Sequence, residues 1–212
     1  MRWASPGNPP FLPAMKQPFF LLLPTFLLLT GLTYSHAQGK YMTKTGRVSF
    51  FSATPIEDIE AKTQQVAAVL DFGTGQLAFS LPVKSFVFKR TLMQEHFNEN
   101  YIESDKYPKA TFAGRFVGLD AATLATPGPH PVQVEGNLTL HGVTHHIQVP
   151  ATVELKGGQA LATATFPVAS ADYNIEIPLL VRNNIAKTMA VRVDLTCDAV
   201  PGAVGATTPP AR

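Results

Sequence analysis

The chain reads as an all-β protein: a single antiparallel β-barrel of about eight strands with one short helix. Three observations predict it. Short runs in which apolar and polar residues alternate recur along most of the sequence, the pattern of strands with one buried face. Turn-forming clusters, among them Gly73-Thr74-Gly75, Thr126-Pro127-Gly128-Pro129 and Gly157-Gly158, separate these runs. The stretch around His141-Gly142 spells a complete hairpin on its own.

Residues 1–37 read as an export signal. Arg2 and Lys16 are the only charges before Lys40, the run Phe19 to Leu32 is apolar except for Pro24, Thr25, Thr30 and Gly31, and Ser35-His36-Ala37 places small residues where a signal peptidase reads. Cleavage after Ala37 is expected, which predicts a periplasmic or secreted protein. The apolar run is shorter than the roughly 20 residues a spanning helix needs and Pro24 interrupts it, so no stable membrane span is expected after cleavage. The removed segment carries two basic residues and no acidic one, so the 17 basic and 15 acidic residues of the whole chain become equal in number. A neutral chain with scattered Lys and Arg lacks the basic stripe of a nucleic-acid surface.

The strands are expected at Val48 to Phe51, Gln65 to Phe72, Gln76 to Val83, Ala110 to Leu119, Val132 to Leu140, His145 to Leu155, Gln159 to Val168 and Met189 to Asp198. Gly73 to Gly75 and Gly157-Gly158 are short enough to make neighbouring strands hairpins. In the central hairpin Val132, Val134, Leu138 and Leu140 alternate with Gln133, Glu135, Asn137 and Thr139, and Ile147, Val149, Ala151, Val153 and Leu155 alternate with polar residues after the turn. Gly142 supplies the backbone freedom of the reversal. One stretch breaks the pattern: Leu92 to Tyr101 fits helical spacing, with Thr91 and Gln94 as a capping box. Phe97 and Tyr101, four apart, share a face and are expected to close one end of the barrel. Pro55 to Glu60 suggests a further helical turn. Residues 39–199 form the expected domain, and residues 200–212, rich in Pro, Gly, Ala and Thr, a disordered tail.

Two segments carry a resemblance. The first is Glu-Gly-Asn-Leu-Thr-Leu-His-Gly-Val-Thr at Glu135 to Thr144. The second runs from Lys84-Ser85-Phe86 through Met93, His96 and Phe97 to Ser104-Asp105-Lys106-Tyr107-Pro108-Lys109-Ala110-Thr111-Phe112. In this order they resemble the YceI-like family, over roughly Gly39 to Ala199. The resemblance implies an exported bacterial protein with a lipocalin-like antiparallel barrel whose apolar interior encloses a long polyisoprenoid chain. The chain departs from many members in having Gln94-Glu95 where they have an Arg-Asp pair ahead of the histidine.

Catalytic and metal chemistry find little support in the residues. His145 and His146 point to opposite faces of a strand, and with His141 they lack the Cys or acidic partners of a compact ligand set, so the three read as polar residues on the hairpin rim. His96 reads as a helix-surface or lid residue. There is no Gly-x-Ser-x-Gly elbow, no His-Glu-x-x-His motif and no phosphate loop. Cys197, the only cysteine, continues the alternation Met189, Val191, Val193, Leu195 and is expected to pack as a small apolar side chain.

What remains is an aromatic and aliphatic surplus. The candidate ligand-binding side chains are Phe50, Leu77, Phe79, Leu81, Phe86, Phe97, Tyr101, Phe112, Phe116, Leu138, Leu140 and Phe166. Phe79, in the odd-numbered apolar set Leu77, Phe79, Leu81 and Val83, and Phe112, in the even-numbered set Ala110, Phe112, Gly114 and Phe116, are expected to point inward, while the alternation by itself leaves the inward parity of the strands open. An eight-stranded barrel is just wide enough to be filled by side chains or to hold one ligand, so residue patterning leaves both open, and the resemblance favours a hollow one. The expected protein is a binding or carrier protein for an amphipathic apolar ligand, a polyisoprenoid or related lipid, without catalytic residues, metal or resident cofactor. Two alternatives stand beside it: a redox or stress accessory presenting a quinone-like lipid, and an interaction module with a filled core.

Overall fold

The computed structural model describes residues 1, 3, 39–54, 58–179 and 185–201. The proposed signal segment and cleavage site, and the tail beyond Pro201, lie outside the described residues.

Nine strands follow one another: β1 (Lys40–Ser52), β2 (Ile59–Asp71), β3 (Gln76–Pro82), β4 (Val87–Phe88), β5 (Lys109–Val117), β6 (His130–Leu140), β7 (Val143–Lys156), β8 (Gln159–Ala169) and β9 (Thr188–Ala199). Apart from the two-residue β4, which pairs only with β2, each strand pairs antiparallel with its neighbours in sequence, and β1 pairs with both β2 and β9. The result is a closed eight-stranded up-and-down barrel, in which every long strand has a partner on both sides for at least part of its length.

Turn chemistry sets the register. Leu140 faces Val143 across the two-residue turn His141-Gly142, where both residues have positive φ (51° and 74°). Gly157-Gly158 does the same between Lys156 and Gln159, at 60° and 79°. This double left-handed geometry is the type I′ turn, whose twist matches that of the strands. An added Cβ at Gly142 would also fall 2.5 Å from the Tyr107 ring, so that position is closed to other residues on two grounds.

Strands 1 and 2 start earlier than the alternation suggests, at Lys40 and Ile59 rather than Val48 and Gln65. The physical reason is a pair of irregularities. The register slips between Thr43, Gly46 and Val48 of β1 against β2, and the Thr43 and Thr63 hydroxyls accept hydrogen bonds from the Thr45 and Gln65 amides two residues on. Each slip changes the inward parity, so a strict two-residue period fails there. Ile59 and Glu60 therefore lie in a strand, not in the helical turn expected for Pro55 to Glu60; residues 55–57 are outside the described residues. The fourth expected strand ends at Val117, two residues short of Leu119.

The expected helix forms as α1 (Thr91–His96) continued by a wider π-type turn over Phe97–Tyr101. Its capping box does not form. Arg90 is the residue at the cap and no side chain closes it; the Gln94 carbonyl instead accepts from the Phe88 amide at 3.3 Å, tying the helix to β4. Among the described residues no helix is long and apolar enough to cross a membrane.

Candidate ligand-binding cavity

Alternation decides what the barrel encloses. Leu81 on β3, Ala110, Phe112 and Phe116 on β5, Val134 and Leu138 on β6, Val149 and Val153 on β7, Phe166 and Val168 on β8, and Val193, Leu195 and Cys197 on β9 are all buried. One end of this interior is plugged. Tyr41, Phe72 and Phe116 stack there with ring centroids 5.6 and 5.3 Å apart, within the range of favourable aromatic pairs. Cys197 is fully buried near that end, and burial pushes its thiol up to about 11, with Asp198 adding to the effect. Such a thiol is inert, the behaviour of a small apolar side chain.

From the plug upward three apolar chambers follow. The deepest, about 50 Å³, lies between Leu70, Leu77, Phe79, Phe112, Phe116 and Phe166. The middle one, about 100 Å³, is bounded by Phe50, Phe79, Leu81, Phe86, Leu138, Leu140 and Phe166. The third, about 200 Å³, opens at the mouth between Phe50, Phe88, Met93, Phe97, Tyr101, Ile177 and Met189. Phe79 and Phe166 line both the deep and middle chambers, and Phe50, Phe97, Ile102 and Met189 line both the middle one and the mouth, so the three are in series along the barrel. The interior is therefore neither an open tube nor a solid core.

Aromatic rings form the necks. Phe79 and Phe112 stack nearly parallel at 5.2 Å and 14°. The Phe112 ring has room because two glycines, Gly114 and Gly136, face each other beneath it; a Cβ on either would sit 2.8 Å from its ring atoms. At the mouth, Phe97 packs against Phe50, Phe86 and Phe88 with centroids 5.6, 5.9 and 5.0 Å away. All twelve expected interior residues line one of the three chambers. Tyr101 lies at the mouth with its hydroxyl pKa raised by burial.

The wall also includes Val48, Ile102, Ile147, Val149, Ile175, Ile177, Ile185, Val191 and Val193, which lie outside the twelve candidates named from the sequence. The parity of β9 and the spacing Tyr173, Ile175, Ile177 carried that signal.

The segments bearing the resemblance frame the mouth. Lys84 pairs with Asp105 at 2.5 Å, joining the first and last blocks of the longer segment. The Ser85 and Thr63 hydroxyls lie 2.7 Å apart. His141 is buried at the hairpin rather than displayed on its rim: Nε2 lies 2.9 Å from Glu103 Oε2 and Nδ1 lies 3.0 Å from the Tyr173 carbonyl, with the Tyr107 ring edge-on at 4.5 Å. Both ring nitrogens are thus occupied in tying three loops together. His145 meets the Asp172 carbonyl and His146 the Asn137 side chain. Among the described residues no three His, Cys, Asp or Glu side chains gather as a metal site would require.

The YceI-like domain family matches this chain over residues 30–197. The chain belongs to the YceI-like family. Solved structures with the same fold include a polyisoprenoid binding domain from Saccharophagus degradans implicated in plant cell wall breakdown. It is 18% identical, with a TM-score of 0.65 over 77% of this chain and 99% of that one. BcnA from Burkholderia cenocepacia is 19% identical, with a TM-score of 0.61 over 71% of this chain and 95% of its own. A YceI protein of Campylobacter jejuni is 14% identical, with a TM-score of 0.55 over 68% and 86%. A search of curated proteins gave no match.

Proposed function

We propose that this YceI-like protein is exported and binds or carries an amphipathic, mainly apolar chain, a polyisoprenoid or related lipid, inside its barrel. The observation that carries this reading is the series of three apolar chambers running from the mouth to the aromatic plug. A solid-core module would have no use for necks of stacked rings and an isoleucine-rich mouth. The Saccharophagus degradans domain, named for polyisoprenoid binding, supports the choice of ligand class.

The energetics suit a slender hydrocarbon. Each methylene moved from water into the barrel contributes roughly 0.8 kcal/mol, so about five carbons of one isoprene unit contribute roughly 4 kcal/mol without a charged clamp. Branch methyls would seat in the chambers on either side of the Phe79–Phe112 stack, while the chain threads the necks. No covalent step is required of the protein.

Mass spectrometry of an organic extract from protein purified out of its exported fraction tests the reading. A stoichiometric isoprenoid is expected. A quinone head group on that chain would move the reading to redox accessory, and an extract without lipid from protein that also takes up no added isoprenoid would refute carriage.

A further inference from the structure

The barrel wall is not sealed all round. Strand β7 pairs with β6 from Val143 to Val153, yet with β8 only from Ala151 to Lys156. On β8 the paired residues are Gln159 to Ala164, while Thr165 to Ala169 pair with β9 alone. The first half of β7 and the second half of β8 therefore part, leaving a slit in the side of the barrel near its mouth. Each strand carries a proline there: Pro150, just before pairing begins, and Pro167, within the unpaired length. Proline has no N–H to give a ladder and is tolerated on a strand along an unpaired edge, so both residues are compatible with the parting of β7 from β8.

The slit holds a cavity of about 270 Å³ that grades from apolar to polar. Phe166 and Val149 form its inner side and also line the deep chamber, so the two cavities share these side chains as a wall. Its outer side presents His146, Gln148 and the Asp172 segment, with His145 holding that segment through a 2.6 Å contact from Nε2 to the Asp172 carbonyl. No lysine or arginine lines it. A phosphate or carboxylate would call for such a cation, and would also face Asp172. Amide and imidazole groups suit an uncharged end that donates and accepts hydrogen bonds.

We propose that the slit between β7 and β8 is a head-group site: the polar end of the ligand is an alcohol or carbonyl lodged against His146 and Gln148, and its chain runs inward past Phe166. The proposal rests on the carrier reading and adds to it where the ligand's polar end lies and what charge it has.

Three C15 isoprenoids with one chain test it: the alcohol, its monophosphate and the hydrocarbon, titrated into the full protein. The alcohol is expected to bind at least tenfold tighter than the monophosphate. His146→Leu/Gln148→Leu should lose five- to tenfold in alcohol affinity with hydrocarbon binding unchanged, while Tyr101→Phe, a change in the mouth lining itself, should alter alcohol and hydrocarbon binding by the same factor. The proposal is overturned if the monophosphate binds as well as the alcohol, if the slit double variant keeps the alcohol preference, or if Tyr101→Phe abolishes it. Failure of the native protein to bind either the alcohol or the hydrocarbon would instead overturn the carrier reading beneath it. His146→Ala/Gln148→Ala, which adds no apolar bulk, repeats the comparison should the leucine variant melt early.

Discussion

Phe112→Ala separates a ring that shapes a binding chamber from one that merely fills a core. The side chain is 3% exposed, stacked on Phe79 and laid over Gly114 and Gly136, so on the glycine side no side chain is present to fill the space it leaves. Truncating such a ring costs about 3–5 kcal/mol, which in a domain of this size lowers the melting temperature by roughly 10 °C. The deletion also widens the neck between the deep and middle chambers. If the interior is a lipid site, an isoprenoid one unit longer can occupy the new volume and recover roughly 4 kcal/mol. Melts of native and variant protein with C15 and C20 isoprenoid alcohols measure both effects. The expected result is a variant that melts early alone and gains more from the C20 than from the C15 alcohol, with native protein showing the smaller difference. A variant equally destabilised with and without either alcohol would refute the reasoning, since Phe112 would then be ordinary core.

Three further outcomes are expected. The exported protein should begin at Gln38, with or without cyclisation of that glutamine; intact mass decides, and a species retaining Phe19 to Leu32 counts against the proposed cleavage. Cys197 should resist thiol reagents in the native state. Its thiol is raised from 9.0 to about 11, so between those values the unfolded state has released a proton the folded state keeps, and stability falls as pH rises from 9 to 11. That fall, up to ~3 kcal/mol from this group, should shrink in Cys197→Ala when denaturant titrations are repeated across the same range. Gly136→Ala should cost about 1–3 kcal/mol by chemical denaturation, because its Cβ would collide with the Ala113 carbonyl, the Gly114 backbone and the Phe112 ring together; a neutral substitution would mean β5 and β6 shift freely.

Where one strand faces the interior with unbroken alternation, the residues themselves announce their side. Phe79 on odd parity and Phe112 on even parity point at each other in the structure as the pattern implies. Where a hydroxyl or glycine interrupts the ladder, as at Thr43, Gly46 and Thr63, parity changes without any change in composition, and the first halves of β1 and β2 were not legible. The capping box failed for a related reason: Gln94 has a competing partner, the Phe88 amide, that only the packed helix brings within reach. His141 read as rim polarity because its partners Glu103 and Tyr173 lie 38 and 32 residues away. The prolines of β7 and β8 were visible as residues, but their meaning depends on which strand lies alongside.

The placement of polar groups says how such a barrel would choose its ligand. Of the buried polar residues among those described, Ser52, Thr63, Ser104, His141 and Ser170 lie at the mouth end, away from the deep chamber, and only Thr43 lies near the plug. Several serve the protein itself: the Ser52 hydroxyl accepts from the Ala186 amide, Thr63 meets Ser85, and His141 bridges Glu103 and Tyr173. Groups satisfied in this way contribute little to capturing a ligand, since exchanging one good hydrogen bond for another gains little. Affinity must then come from apolar area along the chambers, which discriminates chain length and branching only weakly, by about 1–3 kcal/mol per methylene misfit. Stronger discrimination needs a polar site that an incorrect ligand would leave unpaired. The slit is where such groups meet the apolar interior, so chain selection and head-group selection would be exercised by different parts of one wall.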